Sequence, residues 1–567
     1  MPTKLVMCTL RCCIALLACV GLEVSAAIIR VPQDAPFIQL AIDAAQVHDT
    51  VLLDTGRFVE SVEAPARDLT IAGRFLLSGD TTDIGNCTWV GVNNGDDTLR
   101  CLHSDGTNGN APFVRIVGIR FANSGTYATD EGGAIRIFQQ NATIEHCHFD
   151  SCYAGFGGAL AVRQGQLTMR HCRFSHCGQI QLASVLRLRA GTALIDSCII
   201  ESDTAYSGIF DSPLLFWVQR SKLIVRNSIF RDLGYSHYEW GGTFVYGSKP
   251  PDSVEIVNCE AYDNHIEVMI ADGGQPIKYL RLDSCHFHDN ILTQSLYGQG
   301  SFDSLTEFQA VGNVFERFEP YFRALMHGVF ALDTSSDHTT RVKHNLIQEI
   351  QGGHTSFGTI YGDNSDTREV AGNYIVQNGL YSGSAPFSGQ IQGIHGPGPD
   401  EVKHNVFMGN VGYAAYQGGG QVQGYVQNNF WGHESGPYDS VRNPFGQGDT
   451  VSYRLVYEPW EEDTSFFSAA PEPREPVEIP ATFIGNAYPN PFNSTVTIEF
   501  VLLHDMEITL DIFDLTGRRV ETVFSGRMNK GVHIRDWQPK SQASGIYFAR
   551  LAGEKRISST VKLLYMK

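Results

Sequence analysis

The chain has 567 residues, with 42 Lys+Arg against 61 Asp+Glu and a formal net charge of −19. It is too long for one ordinary compact domain and, at 43 % hydrophobic residues, too apolar for a disordered chain. The acidic balance, with no basic run along the chain, argues against nucleic acid as a partner, and beyond residue 26 no apolar stretch is long enough for a transmembrane helix.

The first 26 residues read as a signal peptide. Lys4 and Arg11 supply the basic region, Cys12 to Leu22 the apolar one, and Val24-Ser25-Ala26 the small residues before a cut after Ala26. Lipidation at Cys19 is the alternative processing. Four cysteines leave with this segment, and nine remain: Cys87, Cys101, Cys147, Cys152, Cys172, Cys177, Cys198, Cys259 and Cys285.

Short segments then recur: IEHCHF, MRHCRF, IDSCII, VRNSIF, IVNCEA, RLDSCHF, AVGNVF, VKHNLI, VAGNYI, VKHNVF and VQNNFW. Their small residue falls at Cys147, Cys172, Cys198, Ser228, Cys259, Cys285, Asn313, Asn345, Asn373, Asn405 and Asn429, at gaps of 24 to 32 residues, with earlier members at Gly73 and Gly118. A second short apolar strand follows each, as in AIRIF, VLRLR, LLFWV and TFVYG. Two strands and their turns per repeat predict an all-β solenoid, a parallel β-helix of eleven to thirteen rungs and roughly 50–60 Å. The apolar spacing never takes the 3.6 period of an α-solenoid.

Stacked rungs place equivalent residues in columns. The cysteine column holds Gly, Ser or Asn elsewhere, all small, so stacked free thiols are the main reading, with disulfides between rungs or a metal site as alternatives. Five residues on, a second column reads Asn123, Cys152, Cys177, Asn264, Asn290, Asn378 and Asn410, where Asn can bond its neighbours and tolerate the left-handed turn conformation. Glu145, Arg170, Asp196 and Arg226, alternating in sign two residues before the cysteines, predict an outward charge ladder.

The opening IIRVPQDAPFIQLAIDAAQVHDTVLLDTGRFVESV, with a capping helix expected over Pro36 to Val47, resembles right-handed parallel β-helix proteins of the pectin-lyase-like superfamily. The run from Asn428 to Trp460 resembles the closing segment of exported bacterial β-helix proteins, so the resemblance spans residues 28–460. That superfamily hosts lyases, hydrolases, epimerases and adhesins, and it implies the fold without the function. Residues 461–480 form a Pro- and acid-rich linker. Residues 481–567 alternate apolar strands with turns, as in a small C-terminal β-sandwich. They resemble the sorting domain of type IX secretion cargo through Tyr488-Pro489-Asn490-Pro491-Phe492-Asn493 and the Leu515 to Arg518 turn, which implies the type IX machinery as a partner and a secreted or outer-surface location via the periplasm. A generic adhesive sandwich is the alternative.

Catalytic patterns are faint. The His395-Gly396 and Gly353-His354 turns lack the paired aspartates of inverting pectin hydrolases, and no aspartate cluster suggests a calcium lyase. No Cys/His cluster has zinc spacing, so no metal and no cofactor are expected, calcium entering only if the chain is a lyase. Tyr206, Tyr321, Tyr381 and Tyr413 fall eight residues after the column, Tyr235 seven and Tyr127 nine, while the outward position of the second strand yields Arg136, Arg187 and Trp217. Aromatic faces beside Arg and acids suit glycan binding; a packed aromatic ladder is the competing account. The expected function is recognition of polysaccharide or another extended polymer by an exported rod. A polysaccharide lyase or glycoside hydrolase is the runner-up and a structural adhesin the third reading, with convergence of carboxylates and Lys or Arg in one groove as the discriminator.

Overall fold

The computed structural model describes residues 26–566 except 66, 93–99, 107–112, 127–129, 202–213, 234–241, 250–252, 272–277, 298–306, 321–327, 332–338, 353–359, 362–366, 381–388, 393–400, 417–423, 467–481, 489–491, 503–505, 515–517, 530, 541 and 554–556. The leader, most of the linker, Pro489 to Pro491 and Leu515 to Gly517 therefore lie outside the described residues. Among those described, no helix is long and apolar enough to cross a membrane.

Each rung supplies three short strands, and each strand pairs in parallel with its equivalents one rung before and after. Among the described residues the first ladder contains fourteen strands, from Ile28–Val31 and Thr50–Leu53 through Asn141–Glu145 and Gln166–Arg170 to Glu401–Lys403. Its two opening strands precede Gly73, where the repeat first becomes readable. The second ladder runs through His148–Asp150, Arg173–Ser175 and Ile199–Glu201, and the third through Ile135–Phe138, Leu160–Arg163, Leu186–Arg189 and Leu214–Gln219. Alternation sends one set of side chains inward: Phe121, Phe149 and Phe174 stack at 5.1 and 4.9 Å, as do Phe287 and Phe315 at 5.2 Å, all fully buried.

The columns form the corners. All nine cysteines are free and buried, so the thiols stack without disulfides, and burial pushes the Cys147 thiol up to about 12. Further along, asparagine takes over and forms a chain: Asn313 Nδ2 donates to Asn345 Oδ1 at 2.9 Å, Asn345 to Asn373 at 3.0 Å, Asn373 to Asn405 at 2.9 Å and Asn405 to Asn429 at 3.0 Å. Each of these amides also meets a buried carbonyl of the preceding rung, which is how the corner satisfies its polar groups away from water. The left-handed turn sits one residue earlier than the column, at His146, His171, Ser197, Asn227, Asn258, Ser284 and His344, with φ between 51° and 56°. For the same reason the second column begins at Ser124, whose hydroxyl lies 3.4 Å from Cys152 Sγ, and not at Asn123, which is itself the left-handed residue (φ 47°). Outside, Arg115 and Arg226 bind Glu145 and Asp196 at 2.8 and 2.7 Å, and Arg170 lies 3.8 Å from Glu145, so the charge ladder forms.

The ends are closed. The helix Ile38–Ala44 is shorter than the span expected for it and covers the first rung with Ile38, Ala41 and Ile42, while the Glu60 carboxylate accepts from the Ile38 and Gln39 N–H groups at 2.9 and 3.3 Å. At the other end Trp431 and Tyr457 are buried in the same core. The C-terminal residues form a three-stranded antiparallel sheet, Thr482–Tyr488, Val496–Leu502 and Gly531–Trp537, and a four-stranded one, Met506–Asp514, Arg519–Met528, Gly545–Gly553 and Ile557–Tyr565. Val496, Ile498, Ile508, Leu510 and Trp537 share a core separate from that of the solenoid.

Candidate functional site

The third ladder carries two outward columns, because positions two and four of a four-residue strand face the same side. In register, the first reads Glu63, His103, Arg136, Ala161, Arg187 and Trp217, and the second reads Asp105, Phe138, Arg163, Arg189 and Gln219. The turn that follows adds Gln139, Gln164, Ala190 and Arg220. Five arginines, Arg136, Arg163, Arg187, Arg189 and Arg220, thus come onto successive rungs although up to 31 residues separate neighbours in sequence, the rungs being spaced about 4.8 Å apart.

Arg187 and Trp217 occupy the covered part of this face. A short extra strand, Tyr153–Phe156, lays Phe156 over them, so both are less than a tenth exposed. The Arg187 guanidinium lies 4.5 Å from the Phe156 ring centre and 4.2 Å from that of Trp217, and it pairs with Glu131. Glu131 also faces Arg163 at 3.7 Å, while Arg100 pairs with Asp130. Burial pulls Arg187 down to about 10, against the pull of Glu131 and reinforced by Arg163, Arg189 and Arg136. Burial also lowers His103, with Arg136 and Arg100 adding to it.

Beside this covered cluster lies an open concavity of about 270 Å³, lined by Phe138, Arg163, Gln164, Arg189, Ala190, Gln219 and Arg220. Its lining holds three guanidinium groups and no carboxylate. Arg163 and Arg189 are half-buried and Arg220 is exposed. Planar guanidinium forks suit carboxylate or sulfate groups, Gln164 and Gln219 suit hydroxyls, and Phe138 offers an apolar wall. Reading along the chain shows no basic patch; only the register of the rungs assembles one, from Arg163, Arg189 and Arg220, which follow Cys147, Cys172 and Cys198 by 16, 17 and 22 residues.

Of the other candidate residues, Arg136 is half-buried beside Ala161, and Tyr413 is half-buried with its ring 5.4 Å from that of Tyr416. Tyr127, Tyr206, Tyr235, Tyr321 and Tyr381 lie outside the described residues, as do the His354 and His395 turns. In the sorting motif, Phe492 is buried against Trp537 and Tyr565 at 5.6 and 5.1 Å, and Asn493 is exposed.

Residues 90–292 match the family model of the right handed beta helix region, and residues 486–566 match that of the secretion system C-terminal sorting domain. The chain joins a right-handed β-helix region to a type IX secretion sorting domain. It is therefore a secreted or cell-surface protein. No curated protein matches it. Among solved structures, a mutant tailspike protein of E. coli bacteriophage HK620 in complex with a pentasaccharide is 11 % identical, with 88 % of each chain covered and a TM-score of 0.24. The PL6 family alginate lyase AlyGC is 12 % identical, with 77 % of this chain and 85 % of that one covered and a TM-score of 0.17. Likeness at that level says nothing about activity.

Proposed function

We propose that this β-helix protein binds an acidic polysaccharide along its third ladder, and that the C-terminal sheets, packed as a small sandwich, direct its export. The observation that carries the reading is the concavity with Arg163, Arg189 and Arg220 in its wall and no acid among its lining residues. A chain of net charge −23 over residues 27–480 repels polyanions at long range. An arginine-lined concavity with no carboxylate in its wall is worth retaining on such a surface where a polyanion is the ligand. The rung spacing of about 4.8 Å is of the order of one sugar unit, so successive arginines can meet successive acidic sugars. Arg136 and Tyr413 would extend binding along the same ladder, while Arg187 and Trp217 support it from beneath.

Binding has more support than cleavage. Carboxylates and arginines do converge here, but Glu131 is covered and already neutralised by Arg187 and Arg163, which leaves it poorly placed to act on a glycosidic bond. A panel of acidic and neutral polysaccharides, titrated into the purified secreted chain while new reducing and unsaturated ends are followed, tests the reading. Saturable, salt-sensitive binding to acidic polymers without new ends is expected. Preference for neutral polymers would overturn the charge argument, and new ends would replace binding by lyase or hydrolase action.

A further inference from the structure

The second ladder carries a separate cluster that the proposed glycan face does not use. Glu260 stands opposite His286 on the next strand, and Glu316 stands opposite His288 on the strand after that, all four pointing outward. The two imidazole rings lie 4.2 Å apart, and one donor atom each from Glu260, His286 and His288 lies within 4.8 Å of the other two.

Proton counting makes the arrangement unusual. A neutral imidazole has one N–H to give. His288 meets Asp289 Oδ2 through Nδ1 at 2.6 Å and Glu260 Oε1 through Nε2 at 3.1 Å, so both ring nitrogens face carboxylates and one proton serves only one of them. His286, 2 % exposed, meets Glu316 Oε1 through Nε2 at 3.0 Å, and its Nδ1 is buried with no hydrogen-bond partner. If Asp289 and Glu316 hold the N–H of their respective rings, each ring is left with a lone pair, and the Glu260 carboxylate faces one of those lone pairs. A cation between these groups resolves both conflicts at once.

We propose that Glu260, His286 and His288 bind a divalent transition-metal ion. Two imidazoles and one carboxylate suit zinc or its first-row neighbours better than calcium, which prefers oxygen alone. Asp289 and Glu316 orient the imidazoles from behind, and Arg317, bonded to both Asp289 oxygens at 2.6 and 2.8 Å, fixes the first of these carboxylates. Tyr262, its ring 5.1 Å from His288 and nearly parallel to it, closes one side. The competing occupant is a second proton on His288, which turns the cluster into a plain ion-pair network.

The test is calorimetric titration of Zn²⁺ into the chelator-dialysed, purified chain, with Co²⁺ visible absorption as a second readout. One equivalent bound, with Co²⁺ bands of a nitrogen- and oxygen-ligated site, is the expected result. His288→Gln should abolish it, and Asp289→Asn should weaken it about 10–100-fold, with circular dichroism unchanged. Glu260→Gln serves if a histidine variant fails to fold. Arg189→Gln should leave Zn²⁺ binding untouched, which separates this site from the glycan face. No saturable binding, or stoichiometric binding retained in both His288→Gln and Glu260→Gln, would overturn the proposal.

Discussion

Asn345 shows how much one residue of a corner column does. Its side-chain oxygen accepts from both the backbone and the side-chain amide of Asn313 at 2.9 Å, and its own amide donates to Ala310 O and Asn373 Oδ1. Asn345→Leu removes all four bonds and takes a partner from buried groups on the two flanking rungs, leaving the Asn313 N–H and the Ala310 carbonyl without these bonds, each worth about 1–3 kcal/mol. Urea unfolding should show a loss of several kcal/mol, well above that of Asn345→Ser, because Ser228 already serves in this column. Cys172 sits at an equivalent corner as a small apolar group. Cys172→Leu should cost about 1–3 kcal/mol through overpacking, and Cys172→Ala or Ser less; equal stability of the Leu variant would show a loose corner. The residues on either side of the column at Cys147 bring pH sensitivity. His146 is held down to about 3 by burial, with His171 and Arg115 beside it, and His148 to about 4. An unfolded histidine binds its proton near pH 6.5, so these groups stabilise the fold fully above that pH and progressively less as pH falls toward their folded values. The urea midpoint should therefore decline below about pH 6.5, and His146→Gln should flatten that decline.

At the scale of elements, strand ladders account for both what could be read along the chain and what could not. The first ladder and its corner announce themselves because a small residue between apolar ones recurs at nearly constant distance. The charge ladder at Glu145, Arg170, Asp196 and Arg226 follows from the same alignment. Displacement of the left-handed turn by one residue is not legible in the sequence, because Asn, Ser and His all occupy that position and the pattern of side chains does not separate the turn from the column. The third ladder starts at a variable distance from the corner, since loop length differs from rung to rung, so Arg163, Arg189 and Arg220 align only through backbone pairing. Cover by Phe156, which takes Arg187 and Trp217 out of easy reach, depends on an extra strand that no repeat encodes. The N-terminal helix acts as a lid on otherwise open strand edges. Ile38→Asp with Ile42→Asp should loosen that lid and produce concentration-dependent association of an otherwise folded solenoid, visible by size-exclusion chromatography; a monomeric, unaltered elution would show that the rung is blocked without the helix.

Over the whole molecule, charge and segregation of the cores describe two kinds of surface. Residues 481–567 carry 11 basic and 8 acidic groups, against the strongly acidic remainder, and their core is built from their own strands. Deletion of residues 481–567 should leave the solenoid folded but retained in the periplasm, as fractionation of the producing cells would show; normal surface delivery would contradict the sorting role. The central claim concerns the other surface, the arginine-lined concavity of the third ladder. Its most direct test is a binding isotherm of an acidic polysaccharide to the secreted chain and to its Arg189→Gln, Arg220→Gln variant, each at low and at high salt. These arginines make no ion pair among the described residues, so their loss should leave the melting curve in place while binding falls at least tenfold, about 1.4 kcal/mol, and its salt dependence becomes shallower. Undiminished affinity in the variant at low salt would place the ligand elsewhere and contradict the account.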